Sequence, residues 1–252
     1  MIISPSRNFI FIHLEKCGGT SIESALQPYL HWSDMILGST VFGEKMQQLY
    51  YERYNREEVN NRMLWKHSNA KDIHSFIGDN SWNDLNKISI VRDPKEIINS
   101  LYRFSQMTIK YHIGRIHKST WQDMLAQQTF PDSYPFTEGY IHAYVESTLS
   151  GRGLNGFVDI LLNKDYEFIR PQFERLEIDK DTDIGFVFDL SDIERGWRVI
   201  LNLLSLPSNI ELEKLNSSEY INIELSQRSI KMIKKHFAID YELLPKYTGI
   251  TW

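Results

Sequence analysis

Cysteine is almost missing from this chain: Cys17 is the only one in 252 residues. An intramolecular disulfide is therefore impossible and a cysteine-rich metal site is excluded, which suits a reducing compartment. Long apolar runs are missing too. No window approaches the roughly 18 uninterrupted apolar residues of a membrane-spanning helix. The opening M-I-I-S-P-S-R-N-F-I-F-I-H has too short an apolar run, and no small-residue cleavage site, for a secretory leader. These absences predict a cytoplasmic protein without an integral membrane segment. Positive charge is not in excess either. A formal net charge of −5 argues against coating nucleic acid through bulk electrostatics, and it leaves any anionic ligand to be held by individually placed groups.

What is present has globular proportions, 42% hydrophobic and 24% charged, and reads as a single domain over 1–252 with one sizeable core. Residues 8–14, N-F-I-F-I-H-L, suit a strand buried on both faces. A glycine turn follows. Ile22, Ala25 and Leu26 then recur at helical spacing, with Thr20 and Ser21 as N-cap candidates and Pro28 as the stop. K-I-S-I-V at 87–91 is a second buried strand. After it, Asp93 can cap a helix that Pro94 opens, and Ile97, Ile98, Leu101 and Phe104 mark that helix's inner face. Weak periodicity over Lys45–Arg62 predicts a loose helix. Trp121–Gln128 and Glu138–Leu149 predict two more, and Gly151, Gly153 and Gly156 a loop. Val158–Leu162 and Phe186–Leu190 read as strands, Ile193–Leu204 and Leu225–Phe237 as helices. Strands alternating with helices predict an α/β layered fold with a mainly parallel sheet.

The first chemical signal is E-K-C-G-G-T-S at 15–21. Consecutive glycines at a helix N-terminus let backbone N–H groups converge on one point, where the helix dipole also favours negative charge. Lys16 adds a point charge, and Thr20 and Ser21 add hydroxyls. The lysine precedes the glycines, so the spacing is not that of a nucleotide triphosphatase. Alone, the stretch is equally a tight turn built on Gly18 and Gly19. The second signal is I-V-R-D-P-K-E-I-I-N-S-L-Y-R-F at 90–104, which puts Arg92 at the carboxyl end of a strand and Ser100 on the following helix. Ligands of open α/β sheets bind at such strand ends.

Together these stretches resemble the sulfotransferases that use 3′-phosphoadenosine 5′-phosphosulfate (PAPS), in particular the carbohydrate branch with heparan sulfate 2-O- and chondroitin-type enzymes. There the first reads P-K-T-G-G-T-S and the second R-D-P followed by a serine. R-P-Q at 170–172, F-V-F-D-L-S-D-I-E-R-G-W at 186–197 and A-I-D-Y-E-L-L at 238–244 resemble later family segments. The resemblance implies a P-loop-like three-layer fold with helices flanking the sheet. It also implies a 5′-phosphosulfate held by Lys16, Cys17, Gly18, Gly19, Thr20 and Ser21, a 3′-phosphate held by Arg92 and Ser100, and a carbohydrate hydroxyl as acceptor. No metal and no nucleic acid enter this reading. Glu15 and Cys17 depart from the family's proline and threonine, and Asp189 and Ser191 stand where arginine and glutamate are expected.

Direct sulfuryl transfer needs charge stabilisation, assigned to Lys16, and a base to take the acceptor proton. His67, in L-W-K-H-S-N-A, is one candidate, because an imidazole titrates near neutrality. Glu15 is the rival base, or else a partner of Lys16 or a cap for the turn. His13, His31, His74, His142 and His236 read as structural. Arg103, Lys110, His112, Arg115, His117 and Lys118 form a stretch without acid that either meets an anionic acceptor or is a solvated helix face. Arg170 and Gln172 are assigned to the acceptor side by the resemblance. Trp65, Tyr102 and Tyr111 pack in the core or stack on a sugar or adenine. Cys17, at a helix N-terminus, is a site where a thiol pKa can fall, though direct transfer needs no thiol nucleophile. Two other classes fit parts of the pattern: a P-loop kinase or nucleotide-binding protein, and a non-catalytic bisphosphate-binding module.

Overall fold

Two short apolar strands open the chain, β1 (Ile2–Ser4) and β2 (Phe9–Ile12), each buried at every position. The Pro5–Arg7 turn between them exits through Asn8 at a φ of 58°. The structure is a computed structural model that describes residues 1–53, 64–112, 139–164, 169–178, 184–215 and 224–252. The predicted helix at Trp121–Gln128 lies outside these residues. The chain divides into two compact units, one of Met1–Arg92, Pro171–Ser217 and Ile239–Trp252, the other of Asp93–Arg170 and Ser218–Ala238.

The first unit holds the sheet. Strands β3 (Met35–Ile36), β4 (Asn86–Val91) and β5 (Phe186–Asp189) join β1 and β2 in the order β3-β1-β2-β4-β5 among the described residues. β2, β4 and β5 run parallel, with Ile12 opposite Ser89 and Val91 opposite Asp189. β1 runs antiparallel to both β2 and β3. The sheet is thus mixed, which corrects the expectation of a mainly parallel one. The reason is local: M-I-I-S is too short to carry a strand signal, and the turn after it is too short for a parallel crossover, so it folds straight back on β2.

Helices α1 (Gly19–Leu26), α2 (Val41–Arg53) and α3 (Ala70–Asp84) belong to this unit. Asn69 caps α3 by accepting from the Asp72 N–H at 2.9 Å.

The second unit is helical among its described residues. It opens with α4 (Pro94–His112), where Asp93 Oδ1 accepts from the Lys95 N–H at 3.0 Å and Pro94 begins the helix, as its sequence predicts. Next come α5 (Gly139–Leu149) and α6 (Gly153–Leu162). α6 corrects two expectations, since Val158–Leu162 is helix and not strand, and Gly153 and Gly156 lie in it and not in a loop. A short apolar run does not reveal its period. The wider spacing does, because Leu154, Phe157, Val158 and Leu161 are all buried on one helical face. Tyr102 of α4 meets Tyr144 and Phe157 at ring-centroid distances of 4.9 and 5.3 Å.

The first unit is completed by α7 (Gln172–Leu176) and α8 (Ile193–Leu203). α9 (Gln227–His236) packs on α4 and α6 of the second unit, and α10 (Ala238–Thr248) follows it. α8 lies so close to β5 that a Cβ on Gly196 would stand 2.9 Å from Phe188. Among the described residues no helix is long and apolar enough to cross a membrane.

Phe157 is fully buried. Phe157→Ala should therefore cost about 3–5 kcal/mol of stability through lost transfer energy and the cavity left behind, read as a lower urea midpoint with its slope unchanged.

Candidate functional site

The carboxyl ends of β2, β4 and β5 bring the sequence-predicted turn and Arg92 into the same unit. After β2 the chain passes through Lys16 at a φ of 61° and Gly18 at 77°, both left-handed. Gly18 itself is the N-cap of α1, and no side chain caps the helix. Thr20 and Ser21 are therefore first-turn residues and not caps. Two glycines in a row let the helix start before the hydroxyl residues arrive. Ser21 Oγ accepts from the Leu215 N–H at 3.1 Å, so one of its lone pairs is engaged away from the turn.

Both glycines are required by what lies against them. A Cβ on Gly18 would meet Leu190 at 2.7 Å, and one on Gly19 would stand 2.3 Å from the His13 ring. His13 is buried, its Nδ1 is 2.7 Å from Glu23 Oε1, and Glu23 also pairs with the Met1 α-amino group. The imidazole is thus a fixed, structural floor under the turn, as predicted. The first amides of α1 lie above it, and a helix leaves such amides without intrahelical partners.

Cations gather at this turn. Arg92, just past β4, donates Nη1–H to the Lys16 carbonyl at 3.1 Å. Lys66 approaches with its stem over Gly38, whose φ is 76° and where a Cβ would collide with that stem at 2.3 Å. Burial, then Arg92, lowers the Lys16 ammonium from its usual 10.5 to about 8, with Lys66 adding to the shift. An oxyanion placed here would relieve that crowding.

Cys17 behaves in the opposite way from a helix-terminus thiolate. It is buried, and its Sγ lies 3.3 Å from the Glu15 carbonyl and 3.4 Å from Gln172 Oε1. Burial pushes the thiol up to about 12, outweighing the nearby Arg92. It is a neutral packing group.

His67 is half-buried and lies edge-on to the His13 and Trp65 rings, at centroid distances of 4.6 and 5.2 Å. Its Nδ1 is 3.0 Å from the His13 carbonyl oxygen. A carbonyl can only accept, so Nδ1 carries the proton and Nε2 keeps its lone pair. Burial, then His13, holds the imidazole well below its ordinary 6.5. It is neutral at pH 7 and able to accept a proton.

Glu15, the rival base, forms an ion pair with Arg175, and both side chains are largely buried. The Arg175 Nη2–H also donates to the His67 carbonyl at 3.0 Å. Gln172, one turn earlier on α7 and assigned by the resemblance to the acceptor side, is equally buried, with its carboxamide bonded within the protein. Its Oε1 accepts from the Arg92 N–H at 2.9 Å and its Nε2–H donates to the Arg92 carbonyl at 2.8 Å. Asp240 caps α7, accepting from the N–H groups of Gln172 and Phe173 at 2.9 Å each. Burial raises its carboxyl from the usual 3.8 to about 6.

Ser100 stands half-buried on α4 in the second unit, and Arg170 is exposed there. Tyr102 packs among rings in that unit, whereas Tyr111 and, in the first unit, Trp65 are exposed. Arg103 and Lys110 lie on α4. Arg115, His117 and Lys118 lie outside the described residues. Asp189, the last residue of β5, and Ser191, the other departure, bond to each other, with Ser191 Oγ 2.6 Å from Asp189 Oδ1. Sequence reasoning did not single out Lys66 or Arg175. The signals were there: Lys66 adjoins His67, and Arg175 follows Gln172 at the i+3 spacing that shares a helix face.

This arrangement can bind a phosphate- or sulfate-like anion and present a neutral imidazole in the same unit. Because the anion needs the Lys16 ammonium, and binding raises that group's pKa, affinity should fall only about twofold from pH 7 to 8. Above Lys16's pKa of about 8 it should fall by about tenfold per pH unit. Sulfate, whose charge is constant over this range, is the probe for calorimetry, and Lys16→Met should remove the pH dependence. In comparisons with known proteins, no family model, no curated protein and no solved structure matches this chain.

Proposed function

We propose that this chain is a PAPS-dependent sulfotransferase that modifies a hydroxyl of a carbohydrate or glycan-like acceptor, and that its layers are those of a P-loop-like three-layer fold. One observation carries the reading: Arg92 bonds to the backbone of Lys16, with Lys66 in electrostatic reach of it, at a left-handed glycine turn that opens a helix at the carboxyl end of β2. Lys16 and Arg92 come from the two motifs that carry the family resemblance. A cytoplasmic location belongs to the same reading and is supported by the lone, buried cysteine.

In this reading PAPS, when bound, supplies the sulfuryl group and a phosphate leaving group. Lys16 and the first amides of α1 stabilise negative charge on the transferring and leaving oxygens, the same electrostatic role they would have in phosphoryl transfer. Arg92 holds a phosphate of the nucleotide. Ser100 enters through the sequence motif alone. His67 Nε2 takes the acceptor's hydroxyl proton. Its depressed pKa keeps it unprotonated at pH 7 but makes it a modest base, so positioning must supply much of the acceleration. Glu15, ion-paired with Arg175, is the weaker candidate for the base.

Calorimetric titration with adenosine 3′,5′-bisphosphate should give micromolar or tighter binding, and ATP and 5′-AMP should bind far more weakly. A preference for ATP would return the chain to the kinase class. Arg92→Ala should weaken bisphosphate binding by about 1.5–3 kcal/mol, the scale of a hydrogen bond to a charged group. His67→Ala should lower turnover by about 10²-fold with bisphosphate affinity little changed. Tight binding without transfer to any acceptor in a broad glycan panel would mark a non-catalytic module.

A further inference from the structure

Glu15 puts a carboxylate next to the lysine that the anion site depends on, at a position where the resembling family has a proline. A free carboxylate there would compete with an incoming anion for Lys16. The structure shows where that carboxylate goes. It pairs with Arg175, whose side chain is only 3% exposed. The other arm of the same guanidinium donates to the His67 carbonyl at 3.0 Å. Arg175 is itself fixed, since it lies on the short helix α7, which Asp240 caps and whose Gln172 side chain holds the backbone of Arg92.

We infer that Arg175 is a positioning residue of the anion site. It neutralises the Glu15 carboxylate and keeps it on the His67 side of the turn, so that Lys16 faces a ligand in place of its own neighbour. This inference rests on reading the Lys16 turn as an anion site, but not on sulfuryl transfer. It explains how the chain tolerates an acid where the family has proline: Glu15 and Arg175 act as a matched pair. A purely structural arginine would make a different prediction, because removing Glu15 as well would not repair its loss.

The test is calorimetric titration of the full chain with inorganic pyrophosphate at pH 7, with adenosine 3′,5′-bisphosphate titrated in parallel. Arg175→Met should weaken pyrophosphate binding at least tenfold, the effect that one uncompensated unit charge has even at about 12 Å in an effective dielectric of about 20. Adding Glu15→Gln to Arg175→Met should restore affinity to within about threefold of the parent, and Arg175→Lys should stay within the same range. Equal weakening in the single and double variants, with both folded by circular dichroism, would overturn the inference, as would an Arg175→Met variant that binds like the parent. If Arg175→Met does not fold, the double variant decides, with near-parent affinity supporting the inference and a tenfold loss refuting it. Parent protein that binds pyrophosphate but not the bisphosphate would defeat the sulfotransferase reading and leave this inference in place, whereas failure to bind either would overturn both.

Discussion

The site depends on the buried carboxamide of Gln172. A strand end usually leaves its last peptide groups to water or to a loop, but at the end of β4 the Arg92 N–H and C=O both bond to this one side chain, at 2.9 and 2.8 Å. The same carboxamide oxygen lies 3.4 Å from Cys17 Sγ, which ties the glycine turn to the strand end. Asp240 fixes Gln172 in turn by accepting from its backbone and its side chain. Buried polar groups of this kind stabilise a unique arrangement only when each is satisfied. Here that arrangement determines where the Arg92 guanidinium stands.

Once Arg92 is fixed, the electrostatics follow. Its guanidinium reaches the Lys16 carbonyl, Lys66 approaches over Gly38, and Lys16 is too buried for water to screen the charges fully. The glycines let the turn pack directly against the buried His13–Glu23 pair, at a closeness that a Cβ on Gly19 would not allow. Neighbouring acidic groups are meanwhile engaged or kept neutral: Glu15 is paired with Arg175, and the Cys17 thiol is held neutral by burial. A site preorganised in this way does not have to reorganise when an anion arrives, and that is how placed dipoles and charges lower a barrier.

Much of this was legible in the sequence where the signal is local. The β2 turn, the β4 strand with Arg92 at its end, and the Asp93–Pro94 start of α4 all announce themselves through glycine, proline and apolar periodicity. His13 reads as structural and is so. The cap of α1 was displaced by two residues because glycine can take the left-handed cap that hydroxyl residues usually vie for. β1 escaped because a three-residue strand carries no period, and α6 was misread because a five-residue run fits either period. The pairings made by Arg175 and by the inward-turned Gln172 were invisible for a different reason. Their partners lie far along the chain, at Glu15, His67 and Arg92, and only the tertiary fold pairs them.

The central claim is that the Lys16 ammonium is an anion-binding group destabilised by its own surroundings until a ligand arrives. The most direct test is the pKa of the Lys16 amine itself, followed by NMR on lysine-labelled protein with assignment by Lys16→Arg, first free and then saturated with adenosine 3′,5′-bisphosphate. The account predicts a value of about 8 in the free protein and a clear rise on saturation. An ordinary lysine value in the free protein, or one that does not move when the ligand saturates, would contradict it.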